Sequence, residues 1–256
     1  MFFTPTIAGL VQANEEVFIL CLSSGDFYGK GYLRKHELIK ACAVLGVSEA
    51  SPFDRVIIVE NPRLQDGAKD HWPAELVASH VKSFVASHCL NTLLTFDSGG
   101  VSGHRDHIAV HIGVMHFINH QDGEHPRARL GTGAGEEAGA QARLSERGAG
   151  AGAGHGRGSG ADERGLEGSM GTAVGRVIAL ELLSTNLLRK YSGLLDLLWS
   201  WTWVARPPQG ALFVNLDPRV AWAAMAAHRS QFVWYRRLFV VFSRYAYINT
   251  LVLKRQ

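Results

Sequence analysis

Short apolar runs alternate with amphipathic stretches along this chain. Val17 to Leu22 is an apolar run of the length that suits a buried parallel strand. Arg55 to Glu60 (RVIIVE), Thr92 to Phe96, Val177 to Leu183 and Ala211 to Leu216 read the same way. Between them the apolar period is helical. TPTIAGLVQAN predicts a helix capped by Thr4 with Pro5 in its first turn. Leu38, Ala41, Val44 and Leu45 recur at helical spacing before a stop at Gly46. Pro73 to His88, Asp106 to Asn119, Pro218 to His228 and Gln231 to Ile248 are further predicted helices. Strands alternating with helices of this length imply right-handed crossovers and an α/β fold, a mostly parallel sheet with helices on both faces. The alternation opens on a helix, so a leading strand is missing from the expected pattern.

One segment breaks the periodicity. Fifteen of the 28 glycines fall between Gly123 and Gly171, mixed with Ala, Arg and Glu and with almost no large side chain. Such a stretch buries too little surface to offset its ordering entropy. The expected organisation is therefore residues 1–121 and 173–256 as two parts of one domain, separated by a disordered Gly/Ala/Arg-rich insert over 122–172. RGG repeats are absent from the insert, which argues against a nucleic-acid tail.

Composition narrows the class. At 256 residues and 46% apolar content the chain can build a core. No apolar run approaches the ~18–20 residues of a membrane span, and the uncharged stretch Met1 to Asn14 lacks the basic start of a signal peptide. Cys21, Cys42 and Cys89 form no CxxC pair, which argues against a disulfide scaffold or a thiolate zinc site. The net charge of +3 conceals an asymmetry. Residues 173–256 carry 11 basic and 3 acidic groups, whereas residues 1–121 carry 9 and 12. A basic carboxyl-terminal third fits an anionic partner, a phospholipid surface or nucleic acid, or is simply a solvated basic face. Arg229, Arg236, Arg237 and Arg244 alternate there with aromatics, and Trp199, Trp201 and Trp203 form a second aromatic patch. Rings beside arginines suit a membrane interface as well as they suit a core helix with a basic edge.

Ligands of open parallel sheets bind at the carboxyl ends of the strands. Three polar clusters fall there: Ser23 to Gly31, Asn61, and FDSGGVSGHRDH from Phe96 to His107. In the last, glycines permit a tight turn that delivers His104, Asp106 and His107 to a helix start. His104 and His107, spaced i, i+3, can face one ligand. Imidazole is a common zinc ligand, and Asp106 can orient a histidine. Helix capping by the same residues is the plainer alternative, because HxDH supplies at most two ligands. Arg34 can meet a sugar or phosphate, or can pair with Glu37 one turn along.

The stretches LSSGDFYGKGYLRKHELIKACAVLG, LLTFDSGGVSGHRDHIAVH, LRKYSGLLDL and MAAHRSQFVWYRRLFVVFSRYAYINTL together resemble the N-acetylglucosaminylphosphatidylinositol de-N-acetylases, a branch of the LmbE-like zinc deacetylases. The resemblance covers nearly everything except residues 122–172. It implies a Rossmann-like sheet, a catalytic zinc, a glycosylphosphatidylinositol-precursor lipid as substrate and no nucleic acid. It also implies action at the cytoplasmic face of the endoplasmic reticulum membrane, in the second step of GPI-anchor biosynthesis. His107 matches a metal-binding histidine, His104 the histidine that stabilises the oxyanion, and Asp106 its catalytic neighbour. Arg34 matches a substrate-pocket arginine, and Asn61 joins it as a substrate-binding candidate from its place at a strand end. His228, Ser230 and Gln231 match a carboxyl-terminal motif. The family's HPDDE motif ends its first strand and supplies a zinc histidine, a zinc aspartate and a general-base aspartate. It has no counterpart in this sequence, which starts where the family continues after it. Two other readings stay open: a non-catalytic chain that keeps the fold and binds lipid or a partner, and a deacetylase of a soluble N-acetylglucosamine conjugate.

Overall fold

A computed structural model describes residues 1–47, 54–67, 71–121, 176–204 and 210–254, with the side chains of 201–204 excluded. The insert expected over 122–172 and the side chains of Trp201 and Trp203 lie outside the described residues. The elements are α1 (Thr4–Gln12), β1 (Ile19–Cys21), α2 (Gly31–Val44), β2 (Val56–Ile58), α3 (Ala74–Ser87), β3 (Thr92–Phe96), α4 (Gly100–Gly103), α5 (Arg105–His120), β4 (Ile178–Leu182), α6 (Leu187–Lys190), α7 (Asp196–Val204), β5 (Gly210–Val214), α8 (Pro218–Ala227), α9 (Trp234–Phe242) and β6 (Ile248–Leu253).

The described strands form two sheets. β1 and β2 pair in parallel, from Ile19 with Val56 to Cys21 with Ile58. A second sheet has the order β3-β4-β6-β5. β3 and β4 run parallel, from Thr92 with Ile178 to Phe96 with Leu182. Among the described residues no ladder joins β1 to β3, so each keeps one unpaired edge. The α/β class and the parallel pairs agree with the periodicity. The carboxyl-terminal half does not continue the parallel pattern, because β6 runs antiparallel to both β4 and β5.

β6 overturns the helix expected through Ile248. The helix α9 ends at Phe242, and a 3₁₀ turn over Arg244–Ala246 reverses the chain, with the Ser243 hydroxyl accepting the Tyr245 N–H. The strand from Ile248 onward then enters the middle of the sheet. Ile248, Asn249, Thr250 and Leu251 are all buried, so β6 shows none of the in-out alternation that marks a half-exposed strand. Thr4 is not a cap. It is the first helical residue and is buried, while Phe3 occupies the cap position without a side-chain bond. Pro5 does sit in the first turn.

The core follows the helical stripes. Val77, Val81 and Val85 of α3 pack with Ala109, Val114 and Ile118 of α5, and with Leu22, Val177 and Ala179 from the strand side. At Gly113 the helices α3 and α5 are close: a Cβ there would lie 2.2 Å from Val77 Cγ1. A second cluster joins α1, α2, β1 and β2 around Val17, Cys42, Val47 and Val56. At the amino-terminal end, Thr6 gives its N–H and hydroxyl to the Asn249 side-chain oxygen at 3.2 and 2.7 Å, and Asn249 Nδ2 donates to the Phe2 carbonyl at 2.9 Å. These bonds fix Phe2 beside the carboxyl end of β3.

Candidate functional site

The site is built at the carboxyl end of β3. Asp97, the residue after the strand, accepts the Ser184 N–H and hydroxyl, and so ties the end of β3 to the end of β4. The Ser184 hydroxyl in turn accepts the Val101 N–H at 2.8 Å. The loop can follow this course because Gly100 and Gly103 take φ of 55° and 70°. Val101 also has positive φ, 63°, in a residue type that rarely takes it. The distorted turn α4 leads into α5 with His104 at its cap position, extended at φ −70°, ψ 122°.

His107 lies one turn into α5. Its Nδ1–H donates to the Gly100 carbonyl at 3.1 Å, which leaves the Nε2 lone pair available. Its ring stacks on Phe96 at 4.0 Å and meets the edge of Phe2 at 5.5 Å. Burial among these rings holds its pKa down at about 4, with the Gly100 bond opposing, so the imidazole is neutral near pH 7. His104 has its ring 4.6 Å from that of His107 and a side chain that is 56% exposed. Its Nδ1 is 3.9 Å from Asp106 Oδ2, an ion-pair distance longer than a hydrogen bond. Burial raises the Asp106 pKa, His104 opposes that shift, and Asp66 adds to it. The structure therefore brings His104, Asp106 and His107 together, as the spacing suggests.

Arg34 reaches the same neighbourhood through Asp66. Its guanidinium donates to the Gly25 carbonyl and lies 3.6 Å from Asp66, the carboxylate that acts on Asp106. The alternative pairing of Arg34 with Glu37 is not made. Glu37 is buried and accepts both the N–H and the hydroxyl of Ser230, at 2.7 and 2.6 Å. Asn61 sits at the end of β2 as expected, but its side chain closes a local turn. Oδ1 accepts the Arg63 N–H at 3.0 Å, and Nδ2 lies 3.4 Å from His80 Nε2. Of the carboxyl-terminal motif, Ser230 anchors α2, Gln231 accepts a bond from Arg236 at 2.7 Å, and burial lowers the His228 pKa to about 4.

Several further residues shape the site. Asp97 and Ser184 each follow a predicted strand directly, and that position was the available signal. His111 has its Nδ1 3.1 Å from the Phe96 carbonyl, fastening α5 to β3. Lys190 and Arg236 line a cavity with Phe2 and Ser102, which belong to the surroundings of the two histidines.

The divalent cation implied by the family resemblance was tested against these donors. His107 Nε2 is a suitable lone pair. Among the described residues, however, no three His, Cys, Asp or Glu side chains converge on one point. A catalytic zinc takes about three protein ligands, so the described residues do not complete its shell.

The chain is similar to known proteins in sequence and in fold. The family described as PIG-L: GlcNAc-PI de-N-acetylase matches residues 1–118. The chain is 34% identical over 253 residues to the N-acetylglucosaminyl-phosphatidylinositol de-N-acetylase of Bos taurus, covering 98% of this chain and 77% of that one. It is 28% identical over 254 residues to the probable enzyme of the same name from Dictyostelium discoideum, covering 98% and 87%. In fold it is similar to the N,N'-diacetylchitobiose deacetylase from Pyrococcus horikoshii, with a TM-score of 0.54 at 13% identity, covering 99% of this chain and 78% of that one.

Proposed function

Since this chain belongs to the GlcNAc-PI de-N-acetylase family, we propose that it hydrolyses the acetamide of N-acetylglucosaminyl-phosphatidylinositol. Water adds across the C–N bond, acetate leaves, and the glucosamine amine stays on the lipid, as the second step of GPI-anchor biosynthesis requires. The observation that carries this reading is the clustering of His104, Asp106 and His107 on one loop, pinned by Asp97 and Ser184. Residues 1–121 and 173–256 act in it as one deacetylase domain. The shared core supports that: Val177 and Ala179 pack with Val77 and Val114.

In this reading the exposed His104 donates to the acetamide oxygen as negative charge develops there. A donor aimed at a developing oxyanion lowers the barrier because it needs no reorganisation during the step. Asp106 Oδ2, 3.9 Å from the His104 Nδ1, helps to orient the ring. Arg34, half-buried beside Asp66, faces a sugar hydroxyl or phosphate oxygen. Asn61 contributes to the pocket through the turn that it closes. Were zinc bound, His107 would offer it one lone pair, and the metal would supply an activated water.

The reading sets the enzyme at the cytoplasmic face of the endoplasmic reticulum membrane. No helix among the described residues is long and apolar enough to cross a membrane. Support for surface docking comes from α6, α7 and α9, where Leu188, Leu198, Trp199, Trp234 and Leu238 are exposed. Exposed apolar side chains in such number mark an interaction face.

The test measures acetate released from GlcNAc-PI in mixed micelles with added zinc. It uses the chain as it stands and the chain preceded by an HPDDE-bearing strand. Release by the extended form is expected. No release by either form removes the reading, and release only from lipid-free conjugates transfers it to a soluble substrate.

A further inference from the structure

The cavity beside the histidines holds two cations that the amide chemistry does not use. Its volume is about 590 Å³, within the range of small-ligand sites. Ser102, two residues before His104, and Phe2, whose ring abuts His107, line it. Lys190 from the end of α6 and Arg236 from α9 line it as well. Tyr235 and Phe242, more than half exposed, line its outer part.

Among the described residues no carboxylate neutralises these two cations. Lys190 Nζ lies 5.7 and 6.0 Å from the rings of Tyr191 and Phe239, and Arg236 Nη1 donates to the uncharged amide of Gln231. Among the described residues, neither is within ion-pair distance of a carboxylate. The contrast is local: the adjacent Arg189 makes a two-bond pair with Asp196. Two half-buried cations on an aromatic wall leave a place for an anion that carries apolar groups, because phosphate oxygens accept charge-assisted bonds.

We infer that Lys190 and Arg236 bind the phosphodiester of an anionic glycerophospholipid. The head group then extends past Ser102 toward His104, and the acyl chains leave over Tyr235, Leu238 and Phe242. The identity of the head group rests on the deacetylase reading; the phosphate site does not. Inorganic phosphate shares the same chemistry, so the test must separate the two.

The full chain is titrated calorimetrically with three probes: dihexanoyl phosphatidylinositol below its micelle concentration, glycerophosphoinositol, and inorganic phosphate. The short-chain lipid is expected to bind tightest and inorganic phosphate weakest. Lys190→Ala and Arg236→Gln should each weaken the short-chain lipid about tenfold or more, the scale of one lost charged hydrogen bond. Lys190→Arg and Arg236→Lys should retain most of the affinity. Arg219→Gln, on the solvent side of α8, should leave it unchanged. Unchanged affinity in Lys190→Ala, which removes only a half-exposed side chain, overturns the site. So does inorganic phosphate binding as tightly as the lipid. Lipid binding with the expected dependence but no acetate release from GlcNAc-PI, by this chain or by its HPDDE-bearing extension, removes the deacetylase reading and keeps the site. Acetate release with lipid affinity indifferent to both residues does the reverse.

Discussion

The carboxylate of Asp196 accepts the Nε–H of Arg244 at 2.7 Å, 48 residues apart and both fully enclosed. Arg189 adds two bonds to the same carboxylate, and Ser200 and Thr250 receive the Arg244 Nη2 donors, each at 3.1 Å. Burial alone would raise the Asp196 pKa, but Arg189, Ser200 and Arg244 together hold it below the usual carboxylate value. This network joins α6, α7 and the turn before β6, and so supports the wall that carries Lys190.

Removing its one carboxylate strands the cations. Asp196→Ala should cost about 3–5 kcal/mol, the scale for breaking one side of a buried pair. Urea unfolding of variant and wild type measures it. A loss near zero would show that the arginines find water in its absence.

Glu37 and Ser230 fasten α2 to the segment between α8 and α9 across 193 residues of sequence. Glu37→Gln and Ser230→Ala should be non-additive. Their double-mutant cycle is expected to give a coupling of about 0.5–3 kcal/mol. Additive losses would mean that the Glu37 carboxylate and the Ser230 hydroxyl are not coupled in the folded protein.

His228 gives stability a pH dependence of known sign. Burial chiefly lowers its folded pKa to about 4, with Glu37 opposing, against ~6.5 in an unfolded chain. Between those values the unfolded state takes up a proton that the native state refuses. Stability from this group is therefore full above about pH 6.5 and falls as pH drops toward 4. Urea midpoints at pH 7.5, 5.5 and 4.5 should decline more steeply in wild type than in His228→Gln.

Gly113 lets α3 and α5 approach. Gly113→Ala places a methyl group against Val77 Cβ and Cγ1, a branched side chain with little freedom to move. The loss should be about 1–3 kcal/mol, the scale for overpacking. Thermal unfolding is expected to show partial recovery in Gly113→Ala combined with Val77→Ala.

His104 is exposed and its loss should leave folding intact. His104→Ala in a form active toward GlcNAc-PI should lower kcat about 10²- to 10³-fold with KM little changed, as for removal of an oxyanion donor. A change confined to KM would make it a binding residue instead.

The local features were legible in the sequence because their causes are local. A run such as TLLTF is a strand by its own apolar content, and β3 occupies those same residues. The glycines of FDSGGVSGHRDH permit one sharp turn, and His104, Asp106 and His107 meet there because they are neighbours in sequence. Asn61 illustrates the limit: its position at a strand end was correct, but its amide is engaged in its own turn.

What only the tertiary structure decided is the long-range pairing. The helix expected from Gln231 ran on to Ile248, but α9 ends at Phe242, and β4 and β5 pair with Ile248–Leu253 on both sides and make it a strand. Glu37 had an arginine one turn away and paired instead with Ser230, because the packing of α2 against α8 set that partner beside it and took Arg34 to Asp66. Propensity acts over a few residues, whereas a buried charge takes whichever partner the folded chain brings within 3 Å. The sequence therefore determined the elements and the histidine loop, and the fold determined which polar groups meet in the interior and which, like Lys190 and Arg236, keep their charge for something outside the chain.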